Sequence, residues 1–188
     1  AIDVKDGSKQ KGANVWQWEQ NGTDAQKWII KEAGGGYYSI ISKCNGLYMD
    51  VTNASANNFT NIQMCDGNGL NAQKFKFEKI TTPTENNSAN NSTNNNTAIV
   101  LPKGTKTIED GTYVIKSSIN QKYVLDVLGA SKENGANVQL YEYSADNQKR
   151  FKVKYLGEGY YSIIAVHSNK AIDVKDGSKQ KGANVWQW

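Results

Sequence analysis

Histidine occurs once, cysteine twice and proline twice in the 188 residues, and each scarcity closes off a class of protein. One His and two Cys leave no cluster with the spacing a structural zinc requires, and two Cys cannot staple a disulfide scaffold. No run approaches the roughly 18–20 apolar residues of a membrane-spanning helix. The opening segment, Ala-Ile-Asp-Val-Lys-Asp, reads as patterned domain sequence and not as a signal peptide. Charge of one sign is lacking too: 22 Lys+Arg against 18 Asp+Glu give +4, spread over mixed-sign segments, whereas a nucleic-acid partner calls for a basic stripe. Neither nucleic acid nor membrane is expected as a partner, and no metal or cofactor is implied. The length suits one domain or two small ones.

What is abundant is self-similarity. Residues 1–18, AIDVKDGSKQKGANVWQW, recur without a change as residues 171–188. Surface Lys and Gln positions drift in an old repeat, so this identity points to a recent tandem duplication or an engineered overlap. An older repeat lies inside it, marked by an apolar-Asp-Val strand at Ile2-Asp3-Val4, Met49-Asp50-Val51, Leu125-Asp126-Val127 and Ile172-Asp173-Val174. The motif Asp residues are spaced 47, 76 and 47 apart. The long spacing carries an insert, residues 81–106, which holds both prolines and seven asparagines between Asn86 and Asn96. With almost nothing to bury before Ile99, it reads as a flexible linker, with an Asn-x-Ser/Thr sequon at Asn91.

Each 47-residue unit resolves into four short strand-like segments. In the second unit these are 37–41, 47–51, 61–65 and 73–77, parted by turns such as Cys44-Asn45-Gly46 and Asp66-Gly67-Asn68-Gly69. Short runs rich in Tyr, Ile, Val and Trp at such spacing are strands of an all-β domain. A threefold four-strand repeat that must bury one face and hide its edges closes most simply into a barrel with threefold pseudosymmetry. Trp28, Phe75 and Phe151 each stand 25 residues after a motif Asp and are expected in the core.

Gln26-Lys27-Trp28 and Gln73-Lys74-Phe75 resemble the Gln-x-Trp signature of the ricin-B-type lectin family, whose members are β-trefoil carbohydrate-binding modules. The third copy departs from it, with Lys149-Arg150-Phe151 in register and Gln148 one place early. The resemblance covers everything outside the linker and implies a β-trefoil that binds a mono- or polysaccharide, of galactose type or xylan type. Alternation along the apolar-Asp-Val strand turns both apolar residues to one face and the Asp to the other, so Asp3/Asp173, Asp50 and Asp126 are expected to stand outward. Fifteen residues on come Trp18/Trp188, Cys65 and Tyr141 respectively. A carboxylate that accepts two hydroxyl hydrogens, beside a ring that stacks on the C–H face of a pyranose, is a minimal sugar site.

Carried over position by position, the resemblance implies a first pocket of Asp126, Gln139 and Tyr141, with Asn147 and Gln148 near its floor. A second comprises Asp173 or its duplicate Asp3, with Trp188 or Trp18, then Asn21 and Gln26. A third, of Asp50, Gln63, Asn68 and Gln73, is expected to be weak because Cys65 removes its stacking ring. In the second pocket Trp16/Trp186 replaces the polar residue found at Gln139 and Gln63.

Other signals are read as incidental. His167 has no motif partner and is expected to be an exposed bystander, and Glu109-Asp110 before Gly111 is turn chemistry. Lys149, Arg150, Lys152 and Lys154 are compatible with an anionic glycan, though the usual reading of such a run is a solvated strand face. Cys44 and Cys65 are compatible with a disulfide in a secreted module, without the sequence fixing their separation.

The chain opens at the second strand of one unit and closes after the third strand of the equivalent unit, giving fourteen strands where one trefoil uses twelve. It is organised as residues 1–80, the linker 81–106, and residues 107–188, and the two outer segments together make one trefoil. Either they complete one another as a circular permutant, or they complete a neighbouring chain by strand or domain swapping. A parent with tandem identical modules, secreted and bacterial, is expected. No nucleophile, base or metal constellation is present, so the reading is non-catalytic, multivalent carbohydrate binding. The competing reading is a trefoil used for protein contacts, as an inhibitor or assembly module.

Overall fold

A computed structural model describes residues 22–81 and 104–171, together with the backbone of 2–3, 15–17, 173–174 and 185–187. Residues 82–103, most of the expected linker, lie outside the described residues. Among the described residues there are fourteen strands, five 3-10 turns and no α-helix. In chain order the strands are β1 (Ile2–Asp3), β2 (Val15–Gln17), β3 (Trp28–Glu32), β4 (Tyr38–Ser42) and β5 (Tyr48–Val51). Next come β6 (Thr60–Cys65), β7 (Phe75–Lys79), β8 (Gly111–Ser117), β9 (Tyr123–Val127) and β10 (Val138–Glu142). The last four are β11 (Phe151–Gly157), β12 (Tyr160–Ala165), β13 (Asp173–Val174) and β14 (Val185–Gln187).

Six strands close a ring. β3 pairs with β4, β4 with β7, β7 with β8, β8 with β11, β11 with β12, and β12 returns to β3 through Tyr160 opposite Ile29 and Tyr161 opposite Trp28. That last pairing unites the two halves of the chain in one barrel. Closure removes the edges that isolated hairpins would expose. Two further hairpins, β5–β6 and β9–β10, are joined to each other through β6 and β10. A separate four-stranded sheet has the order β1-β2-β14-β13, and its two central strands run parallel with Trp16 opposite Trp186. The duplicated block therefore contributes two hairpins where each of the other repeats has one. β2 and β14 both lie against β6, β14 also lies against β10, and β1 and β13 both lie against the 3-10 turn Asp24–Gln26.

The internal repeat is written into the backbone. A 3-10 turn precedes a barrel strand at Asp24–Gln26, Asn71–Gln73 and Asn147–Lys149, and another follows the motif strand at Thr52–Ala54 and Leu128–Ala130. In the latter pair the equivalent residues Asn53 (φ 55°) and Gly129 (φ 63°) are both left-handed, a conformation that Gly adopts freely and Asn tolerates. The expected fourth segment of the second unit, 73–77, becomes β7 from Phe75 because Gln73 still belongs to the 3-10 turn.

The core lies where the repeats predict it. Trp28, Phe75 and Phe151 are fully buried, as are Met49, Val51, Ile62, Met64, Val127, Val138 and Leu140 from the inner faces of the hairpins. The far end of the expected linker and the residue after it are held by barrel tyrosines: the Tyr155 hydroxyl donates to the Gly104 carbonyl, and the buried Tyr161 hydroxyl accepts from Thr107 N–H at 2.6 Å. Gly159 permits that approach, since a Cβ there would meet Gly104 Cα at 3.1 Å.

Candidate functional site

Antiparallel pairing of β9 with β10 sets Asp126 opposite Gln139, and Gln139 Nε2 donates to Asp126 Oδ2 at 2.9 Å. The other oxygen, Oδ1, lies 3.2 Å from Lys149 Nζ. Lys149 ends the 3-10 turn that precedes β11, so the turn lays its last side chain across the hairpin. The same ammonium stands 3.5 Å from Asp146 Oδ2 and 5.1 Å from the centroid of the Tyr141 ring. The Ser144 hydroxyl donates to Asp146 Oδ2. Tyr141 is half-buried and meets Phe59 edge to face, with centroids 5.1 Å apart. Phe59 is 64% exposed and has a left-handed backbone, φ 65°, a costly conformation for a bulky residue. Its N–H donates to the Leu140 carbonyl at 3.0 Å, tying β6 to β10 beside the pocket.

Two expectations are corrected here. The motif acids do not stand outward: Asp126 is 4% and Asp50 is 6% exposed. Alternation turns them away from the apolar face of their own strand, but the following 3-10 turn then covers them. Burial raises the Asp126 pKa above the usual carboxylate value, opposed by the Gln139 hydrogen bond and the Lys149 charge. Nor is Lys149 part of a solvated face, for it is 4% exposed, while Lys152 and Lys154 on β11 are exposed as expected. Gln148 forms no hydrogen bond to Asp126 or Gln139, and Asn147 is exposed with its Oδ1 facing Arg150 Nη1 at 3.4 Å. The in-register Lys149 thus takes the place that the resemblance gave to Gln148.

The second unit brings together all four of its expected residues. Gln63 Nε2 donates to Asp50 Oδ1 at 3.0 Å, and Gln73 Nε2 donates to Asp50 Oδ2 at 3.1 Å and to the Asp66 carbonyl at 2.8 Å. Gln73 Oε1 accepts from Asn68 N–H at 2.9 Å. Two neutral amides cap Asp50 where an amide and an ammonium hold Asp126. Cys65 is buried beside this pocket, and the Tyr48 ring packs over Gly67, where a Cβ would come within 2.5 Å of it. Neither Cys44 nor Cys65 is in a disulfide, and Cys44 Sγ lies 3.3 Å from Ser42 Oγ.

In the remaining unit Asp3 pairs with Trp16 and Asp173 with Trp186, the register that Asp50 and Asp126 share with Gln63 and Gln139. Gln26 is buried in its 3-10 turn as Gln73 is. Trp18, Trp188 and Asn21 lie outside the described residues.

His167, expected to be an exposed bystander, is half-buried, and its Nε2 is 2.8 Å from the Ser131 carbonyl. A carbonyl only accepts, so Nε2 carries the proton, and Nδ1 is enclosed without a partner among the described residues. Burial pushes the ring's pKa below the ordinary imidazole value, against the pull of the Ser131 carbonyl and the Asp126 charge. A depressed folded value means that the neutral ring's contribution to stability is complete above the unfolded value of about 6.5 and fades as pH falls through the folded one. The single His resonance is therefore expected to titrate below that of an unstructured peptide, and His167→Gln to flatten the stability loss on mild acidification. NMR titration checks this; a midpoint at or above the peptide value contradicts it.

Glu109 and Asp110 serve the turn before β8, as expected: Lys106 Nζ reaches Glu109 at 2.7 Å and Asp110 at 3.5 Å, while Asp110 Oδ1 accepts from Tyr155 N–H at 3.0 Å.

Comparison with known proteins places this geometry. The family described as ricin-type beta-trefoil lectin domain-like matches residues 1–65 and 100–188. A designed threefold-symmetric protein, ThreeFoil, is similar with a TM-score of 0.60 at 24% identity, over 87% of this chain and 89% of that one. An exo-β-1,3-galactanase from Clostridium thermocellum gives a TM-score of 0.58 at 24% identity, over 88% of this chain, which spans 27% of the enzyme. The C-terminal half of an earthworm R-type lectin, solved with GalNAc, gives a TM-score of 0.50 at 13% identity over 93% of this chain and 89% of that one. At such identities these structures establish the fold alone. Among curated proteins, none matches the sequence. The family match spans well over half of the residues and the barrel is that of the designed trefoil, so the chain belongs to the ricin-type beta-trefoil lectin domain-like family.

Proposed function

We propose that the chain is a non-catalytic carbohydrate-binding module whose working pocket is built on Asp126, Gln139, Lys149 and Tyr141. The observation that carries this reading is the half-used Asp126 carboxylate. An ionised carboxylate offers about four lone-pair sites, and Gln139 and Lys149 take one on each oxygen. Two acceptor sites remain for adjacent hydroxyls of one sugar, which must reach the narrow part of Asp126 that the turn leaves uncovered, with the half-buried Tyr141 ring alongside to receive its C–H face. The family and the lectin-like fold support a saccharide ligand. Galactose-type sugars come first to mind, given the GalNAc bound by the earthworm lectin and the galactan cleaved by the clostridial enzyme, with xylan-type chains as the alternative. A single shallow pocket binds weakly, and repetition of the pocket, within the barrel or through a hairpin swapped between copies, would raise avidity.

One observation favours the second reading, a trefoil that makes protein contacts. Asp50 is held by two glutamines in the manner of a structural pin. The two readings part on affinity electrophoresis in galactan and xylan gels. Tyr141→Ala is expected to lower retention about tenfold, close to 1.4 kcal/mol, with the fold unchanged. Retention that is unaltered by Tyr141→Ala and also by Asp126→Asn favours protein contacts.

A further inference from the structure

We infer that the cleft at the ends of β7, β8 and β11 carries a separate site for an anionic oxygen group on a saccharide, a carboxylate or a sulfate, bound by Arg150 and Lys79. A cleft of about 360 Å³ opens where the ends of β7, β8 and β11 meet, lined by these two side chains with Asp110, Gly111, Ile80 and Val166. Arg150 is the only arginine in the chain. It directly follows Lys149, yet where Lys149 turns inward to Asp126, Arg150 lines this cleft.

The charges do not balance within the cleft. Neither Lys79 nor Arg150 has an ion-pair partner among the described residues, whereas Asp110 is already occupied by Lys106 and by the Tyr155 N–H. Arg150 Nε is enclosed and has no acceptor among the described residues, and Nη1 has only Asn147 Oδ1 at 3.4 Å. Enclosed donors without partners are rare in native proteins and call for an explanation. The two terminal nitrogens of a guanidinium form a fork that matches two oxygens of one carboxylate or sulfate. Lys79 is aimed by Gly111, over which its stem lies: a Cβ on Gly111 would come within 2.7 Å of Lys79 Cε. Ile80 and Val166 supply apolar surface for the C–H groups that carry the acid.

The proposal rests on the lectin reading only for the saccharide nature of the carrier. Its test is a titration of the 15N-labelled chain, in which the lone arginine gives one side-chain Nε–Hε signal. Four probes are compared: methyl galacturonoside, galactose 6-sulfate, galactose and inorganic sulfate. Both acidic sugars are expected to shift that signal saturably, together with the Gly111 and Thr112 amides, while galactose leaves it in place. Lys79→Met should weaken the amide response at least about fivefold and Tyr141→Ala should not. No shift with either acidic sugar overturns the site, as does an equal shift with galactose. Inorganic sulfate matching the acidic sugars reduces it to an adventitious ion only, which also overturns the proposal. Galactose signals that appear at Gln139 without any change at Arg150, or the reverse, tell the failure of one reading from that of the other.

Discussion

Asp126→Ala is expected to destabilise the fold by about 3–5 kcal/mol, the usual cost of leaving one member of a buried ion pair without its partner. The Asp126 and Lys149 side chains are both 5% exposed. With the aspartate gone, the ammonium keeps Asp146, at 3.5 Å, as its one carboxylate partner, beside the Tyr141 ring. Asp146 is exposed, its carboxyl held below the usual range first by the Ser144 hydroxyl, and a solvated partner compensates poorly. In a chain of this size the loss corresponds to a fall in Tm on the order of 10 °C. Two further variants separate the charge from the packing. Adding Lys149→Met to Asp126→Ala replaces the pair by apolar atoms and should recover most of the loss. Lys149→Gln alone should cost little, because Gln73 holds Asp50 from the equivalent position of its 3-10 turn. Urea unfolding of the four proteins checks the cycle. A loss below about 1 kcal/mol for Asp126→Ala would mean that the Lys149 ammonium reaches water, as exposed pairs do.

The second large effect concerns the duplicated block. Removing residues 1–18, or separately residues 172–188, is expected to leave a chain that unfolds in one cooperative transition, and removing both is expected to abolish that transition. Six strands make the ring and two hairpins cover two of its three corners. The third corner is bounded by β6, β10 and the Asp24–Gln26 turn; both copies of the duplicated hairpin lie against β6 and the turn, and β14 also against β10. The third repeat is itself divided, its first strand being β12 and its last β3, and each copy of the hairpin is tethered to one of them. Two identical hairpins therefore share one seat as a single four-stranded sheet, and loss of either leaves an occupant. Loss of both uncovers the apolar inner faces of β6 and β10, where Ile62, Met64, Val138 and Leu140 are now fully buried; exposing such side chains costs about 1.5–3 kcal/mol apiece. Tryptophan fluorescence, to which the buried Trp28 contributes in all four chains, reports the transition. If one single deletion unfolds like the double, the copies are not equivalent and the shared seat is wrong.

Much of the architecture was legible in advance because it depends on periodicity. The 47-residue spacing of the motif Asp residues located the repeats, and the aromatic 25 places later located the core at Trp28, Phe75 and Phe151. The pairing of Asp126 with Gln139 follows from the hairpin register, so that part of the site was legible as well. Lys149 was missed although one signal pointed to it: it occupies the in-register position of the Gln in the other two copies, and only its charge suggested a solvated role. Phe59 and His167 had no such signal. Phe59 reaches Tyr141 from the neighbouring repeat, and His167 reaches Ser131 across 36 positions of sequence.

The sequence by itself determined the all-β class, the identity of the duplicated block and the burial of Trp28, Phe75 and Phe151, since burial of an aromatic rests on which side of its own strand it occupies. Only the tertiary structure decided whether the opposite side faces water. The 3-10 turn that follows each hairpin folds over the motif acid and buries Asp50 and Asp126. A strand's alternation fixes the direction of a side chain relative to its backbone, whereas exposure depends on what another segment lays on top of it.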